Sequence, residues 1–147
     1  MNISKNQKLI NDFIHKHCEK QVFVKFDMED KIIPQQFDAF VPSDKIILIS
    51  KKIVMSTFDI SIKALLLHEI GHIYTYRKRG RIKSEYDAHK WALDYTKKNH
   101  MYLEYNSILK DAQSWVCNFG WNTNKNKRTY IIVGKIILNE YKPMMRR

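Results

Sequence analysis

From Ile60 to Arg79 apolar residues recur at helical spacing, and after Ala64-Leu65-Leu66-Leu67 the same stretch carries His68-Glu69-Ile70-Gly71-His72. Three ionisable side chains on an apolar helix narrow the folds open to this chain, because each buried polar group must find a partner. Residues four apart lie one turn above each other, so both imidazoles face the same way and reach one cation at about 2.0–2.1 Å. Glu69 follows the first histidine by one position. It flanks the cation without ligating it, where it can take a proton from bound water. Gly71 predicts that another element approaches the helix between the two histidines, against a propensity cost of about 1 kcal/mol relative to alanine. Chance matches to the five-residue pattern are expected on the order of 0.01 times in such a chain. The pattern therefore reads as a metal site rather than as two hydrogen-bonded core histidines.

A catalytic zinc site takes three protein ligands and keeps a fourth position for water. The next helical stretch, Lys83 to Asn99, offers Glu85, Asp87 and His89. On a helix Glu85 and His89 share a face and Asp87 sits on another. Spacing leaves Glu85 or His89 as the third ligand, Glu85 modestly ahead, with Asp87 behind both. With zinc in place, water acidified towards a pKa of about 7 and Glu69 as its base would attack a peptide carbonyl. Tyr74, Tyr76, Tyr86 and His89 are the candidates to donate to the developing oxyanion.

Elsewhere the pattern alternates between helix and strand. Ile3 to Glu19 is amphipathic, with Leu9, Ile10, Phe13, Ile14 and His17 on one face. Gln21 to Met28 alternates as a short strand does. Asp38 to Val41 and Lys45 to Ser50 flank Pro42-Ser43-Asp44 and predict a hairpin. Ser56-Thr57-Phe58-Asp59 has the form of a capping box for the metal-site helix, and Gly80 is placed as its left-handed C-cap. Lys83 to Asn99 and Leu103 to Phe119 read as helices, Asn122 to Lys127 as a loop, and Thr129 to Tyr141 as either strand or helix. The sum is an α+β domain with a small antiparallel sheet, a single unit over residues 1–147 in which the part from 99 to 147 has no assigned role.

Composition limits the function classes. No apolar run approaches the roughly 20 residues that span a bilayer, and the start lacks the apolar core of a secretory signal, so a soluble protein without membrane contact is expected. Cys18 and Cys117 lie far apart, which argues against a disulfide framework or thiolate zinc site and for a cytoplasmic setting with both thiols packed. A formal charge of +11 attracts polyanions without choosing among them. Part of it is crowded into Arg77, Lys78, Arg79, Arg81 and Lys83, between the metal helix and the third ligand. That run suits an acidic or DNA-associated partner near the cleft, or simply a solvated helix end. Lys125, Lys127 and Arg128 beside Trp121 and Tyr130 form a second basic-aromatic patch, better read as core aromatics next to a wet loop than as a single-strand stacking platform.

The pair of segments His68-Glu69-Ile70-Gly71-His72 and Glu85-Tyr86-Asp87-Ala88-His89-Lys90-Trp91-Ala92 resembles the ImmA/IrrE family of zinc metallopeptidases over roughly Gln36 to Ala92. In that family the second segment reads Glu-x-x-Ala-x-x-aromatic-Ala and its glutamate is the third ligand. The resemblance thus implies a minimal gluzincin-like zincin domain with His68, His72 and Glu85 on zinc and Glu69 as catalytic base. It also implies a regulatory, DNA-binding protein as substrate and a phage or mobile-element setting. By analogy with the zincin layout, the strand Gln36 to Val41 is the edge on which an extended peptide would pair. Where family members continue with a Leu-Leu-Met-Pro-like stretch, this chain has Leu93-Asp94-Tyr95-Thr96. The competing class is a zincin-fold binding or inhibitory module without turnover, which contacts nucleic acid or protein through its basic surface.

Overall fold

In the computed structural model, which describes residues 2–33, 37–76, 80–119 and 125–144, six helices accompany a three-stranded sheet among those residues. The order is α1 (Ile3–His17), β1 (Phe23–Asp27), β2 (Ala39–Ser43), β3 (Ile46–Ser50), α2 (Lys51–Val54), α3 (Ile60–Tyr74), α4 (Arg81–Lys98), α5 (Tyr102–Phe119) and α6 (Lys125–Glu140). The α+β class expected from the sequence holds. Among the described residues no helix is long and apolar enough to cross a membrane.

The sheet is mixed rather than antiparallel. The central strand is β3, which pairs parallel with β1 (Phe23 opposite Ile46) and antiparallel with β2 (Ala39 opposite Ile49). Ile46-Ile47-Leu48-Ile49 is apolar throughout, as a strand covered on both faces requires, and Ile47, Leu48 and Ile49 are buried. The β2–β3 hairpin forms, but Pro42 and Ser43 belong to β2 and the turn is Asp44–Lys45. A register shift between Phe40 and Ser43 accommodates Pro42, which has no N–H to give a ladder and is tolerated at an edge or bulge.

Helix α3 is the centre of the molecule. Ala64, Leu66, Leu67, Ile70 and Ile73 are fully buried, in a core that also takes Ile10 and Ile14 of α1, Ala92 and Leu93 of α4, Ile108 and Ala112 of α5, and Val133 and Ile137 of α6. Its N-cap is Asp59, whose carboxylate accepts from the Ile62 N–H at 3.1 Å. Ser56 does not cap it as the sequence suggested, because its hydroxyl donates to the Lys52 carbonyl at the end of α2. The helix also stops sooner than expected. Thr75 turns both its N–H (3.0 Å) and its hydroxyl (2.7 Å) onto the Gly71 carbonyl, which closes the last turn. Gly80, with φ −59°, is the N-cap of α4 instead of a left-handed C-cap of α3.

Two glycines let helices touch backbone to backbone. A Cβ on Gly71 would meet the Ala88 carbonyl oxygen of α4 at 2.3 Å, and one on Gly134 would meet that of Ala112 in α5 at 2.7 Å. The first contact is the close approach expected from the glycine in the His-Glu-Ile-Gly-His stretch. The second fixes α6 on α5, and residues 129–140 are helical: Val133 and Ile137 line the core at a spacing of one turn. Both cysteines are free. Cys18 is packed as expected, but Cys117 is exposed.

Candidate metal centre

Helix α3 presents His68 and His72 one turn apart, and the close α3–α4 contact at Gly71 brings Glu85 over them. Nε2 of His68 lies 3.0 Å from Glu85 Oε2 and Nε2 of His72 lies 3.2 Å from Glu85 Oε1, so one carboxylate spans both rings. The ligand-capable atoms of His68, Glu69 and His72 also lie within 4.8 Å of one another. Glu69 is buried, and its Oε2 has no hydrogen-bond partner among the described residues. Of the two glutamates, Glu85 is the one in contact with both Nε2 atoms, whereas Glu69 stands beside them with an oxygen unclaimed.

The electrostatics separate these two carboxylates. Burial pushes both upward. At Glu69 burial prevails over the attraction of His72 and His68, and its pKa is raised. At Glu85 the hydrogen bonds from His68 and His72 outweigh burial and hold the carboxyl well below the usual range. For His72, burial lowers the pKa, but contact with Glu85 reverses the sign and raises it. One carboxylate thus sits among nitrogens, next to a second carboxyl of heightened basicity.

The other sequence candidates fall elsewhere. His89 is 1 % exposed and lies behind His68, its Nδ1 3.0 Å from Nδ1 of His68 and its Nε2 2.8 Å from the Ile108 carbonyl. It meets the nitrogen of His68 opposite to the one that faces Glu85. Burial drives its pKa down to about 3. Asp87 pairs with Lys83 at 3.2 Å. The three tyrosine hydroxyls have partners away from the histidines. Tyr74 accepts from the Glu19 N–H, Tyr76 donates to the Pro42 carbonyl, and Tyr86 donates to Glu140.

Of the basic run, Arg77, Lys78 and Arg79 lie outside the described residues, as does Trp121 of the second patch. Arg81 and Lys83 stand in the first turn of α4.

Beside the histidines a cleft of about 360 Å³ opens between β2 and the C-terminal helices. Phe37, Asp38 and Ala39 form one wall, His68 and Glu69 the floor, and Asp111, Trp115 and Tyr130 the far wall. Trp115 packs against His89 at 4.6 Å and Tyr130 at 4.9 Å between ring centroids, and edge-on to His68 at 6.0 Å. Asp111 and Trp115 were not singled out from sequence. Their signal was the four-residue spacing that sets both on the face of α5 carrying Ile108. Tyr130, of the second basic-aromatic patch, lines this cleft.

Two imidazole nitrogens, a bridging carboxylate and an unpaired buried carboxylate oxygen form a donor set suited to zinc. The fit rests on these atoms alone. Comparison of the chain with protein-family models, with curated proteins and with solved structures found no match to any of them.

Proposed function

We propose that the protein is a zinc-dependent metallopeptidase that cleaves a peptide bond in a protein substrate, as the resemblance of its two motif segments to the ImmA/IrrE family implies. The observation that carries the reading is the Glu85 carboxylate laid across Nε2 of both His68 and His72, with the unpaired Oε2 of Glu69 beside them. In this reading His68, His72 and Glu85 hold the ion. Zinc supplies Lewis-acid polarisation of the scissile carbonyl and acidifies the attacking water.

Glu69 accepts the proton of that water and returns it to the leaving amine nitrogen. Its raised pKa suits both transfers, because a base poised nearer neutrality also serves as the acid of the second step. The cleft floor keeps Glu69 out of bulk water, and Trp115 and Tyr130 offer apolar surface to a side chain of the substrate. An extended peptide fits along β2, which pairs only with β3 among the described residues and contributes Ala39 to the cleft wall. A regulatory, DNA-associated protein as substrate follows from the resemblance and agrees with the charge of +11.

Glu69→Gln tests the reading. It should fold and bind zinc as the parent does, while cleavage of a defined protein substrate falls about 10²–10⁴-fold. Cleavage at the parental rate by Glu69→Gln would overturn it.

A further inference from the structure

We propose that His89 is a positioning residue that selects the tautomer of His68, leaving the Nε2 lone pair of that ligand aimed at the metal. The inference rests on the reading of His68 as a ligand, and it follows from three contacts in series.

The carbonyl oxygen of Ile108 only accepts, so the His89 Nε2 at 2.8 Å must carry a hydrogen. A neutral imidazole has one N–H, and the His89 ring is 1 % exposed among apolar and aromatic groups, where a neutral ring is favoured. Its Nδ1 is therefore an acceptor. Nδ1 of His68, 3.0 Å away, must donate to it. The hydrogen that His68 keeps when it ligates an ion is thus held on Nδ1, and its Nε2, 3.0 Å from an oxygen of the Glu85 carboxylate, is the nitrogen left to meet that ion. The chain of bonds thus prepares Nε2 of His68 for a positive ion before one arrives.

Metal-bound histidines ordinarily give the second N–H to a carboxylate or a backbone carbonyl. Here a second imidazole is interposed, and the carbonyl at its far end belongs to α5. This gives residues 99–147 a part in the centre. Helix α5 anchors the relay through Ile108 and walls it with Trp115, whose ring lies 4.6 Å from that of His89.

The test compares His89→Gln with His89→Leu, both loaded with zinc alone. Glutamine has one acceptor and one donor end, so it can take the hydrogen from His68 and give one to Ile108. Leucine fills similar space and does neither. Zinc affinity, measured by competition with a chromophoric chelator, should stay within about threefold of the parent for His89→Gln and fall about 10–100-fold for His89→Leu. Thermal unfolding of the metal-free proteins checks that both fold.

A second readout is independent of affinity. In the ¹⁵N-labelled parent a coupling across the N–H···N bond should link Nδ1 of His68 to an unprotonated Nδ1 of His89. Equal zinc affinity of parent and His89→Leu, or a hydrogen found on Nδ1 of His89, overturns the relay while leaving the metal centre standing. A parent that takes up no zinc overturns both.

Discussion

Gly71→Ala should damage the metal centre more than the fold. The added Cβ would stand 2.3 Å from the Ala88 carbonyl oxygen, 2.9 Å from its carbon and 3.0 Å from its Cα, all backbone atoms of α4 that cannot rotate away. Ordinary contact begins near 3.4 Å, so α3 and α4 must part by about 1 Å. Overpacking of this kind costs about 1–3 kcal/mol, and alanine returns about 1 kcal/mol of helix propensity, so the net loss of stability is about 0–2 kcal/mol.

The proposed ligand set is far less forgiving. Ala88 lies one turn beyond Glu85 on the same helix, and metal–ligand distances hold within about 0.2 Å. A shift of about 1 Å carries the Glu85 carboxylate off the two histidines, and zinc affinity should drop about tenfold or more. Urea unfolding of the metal-free proteins gives the first quantity and chelator competition the second. A Gly71→Ala protein with parental zinc affinity would refute the reasoning, because the helix contact would then not be what sets Glu85 over the histidines.

Other sites give simpler tests. Burial raises the Asp111 carboxyl from 3.8 to about 6. A group whose folded pKa exceeds its unfolded one contributes fully below pH 3.8 and loses that contribution as pH rises through about 6. Asp111→Asn should therefore flatten the stability profile between pH 4 and pH 8 by at most about 3 kcal/mol, and an unchanged profile in denaturant titrations would contradict it. Helix α4 ends with His100 at φ 55°, its N–H on the Lys97 carbonyl and that of Met101 on Thr96, the pattern usually closed by glycine. His100→Gly should raise the unfolding free energy by about 0.5–1 kcal/mol, and a loss of stability would show that the His100 ring contact with Tyr102 outweighs backbone strain.

The parts of the molecule that the sequence disclosed are those governed by local periodicity. Helices α1 and α4 carry apolar residues at helical spacing, and Ile10, Ile14, Ala88 and Ala92 are buried where that spacing put them, although Leu9 is exposed. The His68–His72 pair and the glycine between them likewise depend only on the geometry of one helix and its nearest neighbour. What periodicity does not encode is partner choice. Whether β1 lies parallel or antiparallel to β3 depends on the connection between them, and no residue of either strand announces it. The stop of α3 at Thr75 rests on hydroxyl and N–H bonds to Gly71, a weaker signal than the glycine at position 80 that seemed to mark it.

Glu85 and His89 share a helix face, so spacing alone puts Glu85 only modestly ahead. Three-dimensional contact separates them, because one meets Nε2 of His68 and the other Nδ1. Spacing sets Asp111 and Trp115 on one face of α5, but it does not say what that face meets. Their place in the cleft with Tyr130 depends on how α5 and α6 fold back over α4, a long-range arrangement.

The most direct test of the account is the zinc stoichiometry of the purified protein after equilibration with the metal, measured beside Glu85→Ala. Binding of about one zinc per chain in the parent, lost in Glu85→Ala, is the result the His68–His72–Glu85 centre requires. A parent that retains no zinc, or a Glu85→Ala protein that binds it as tightly as the parent, would contradict it.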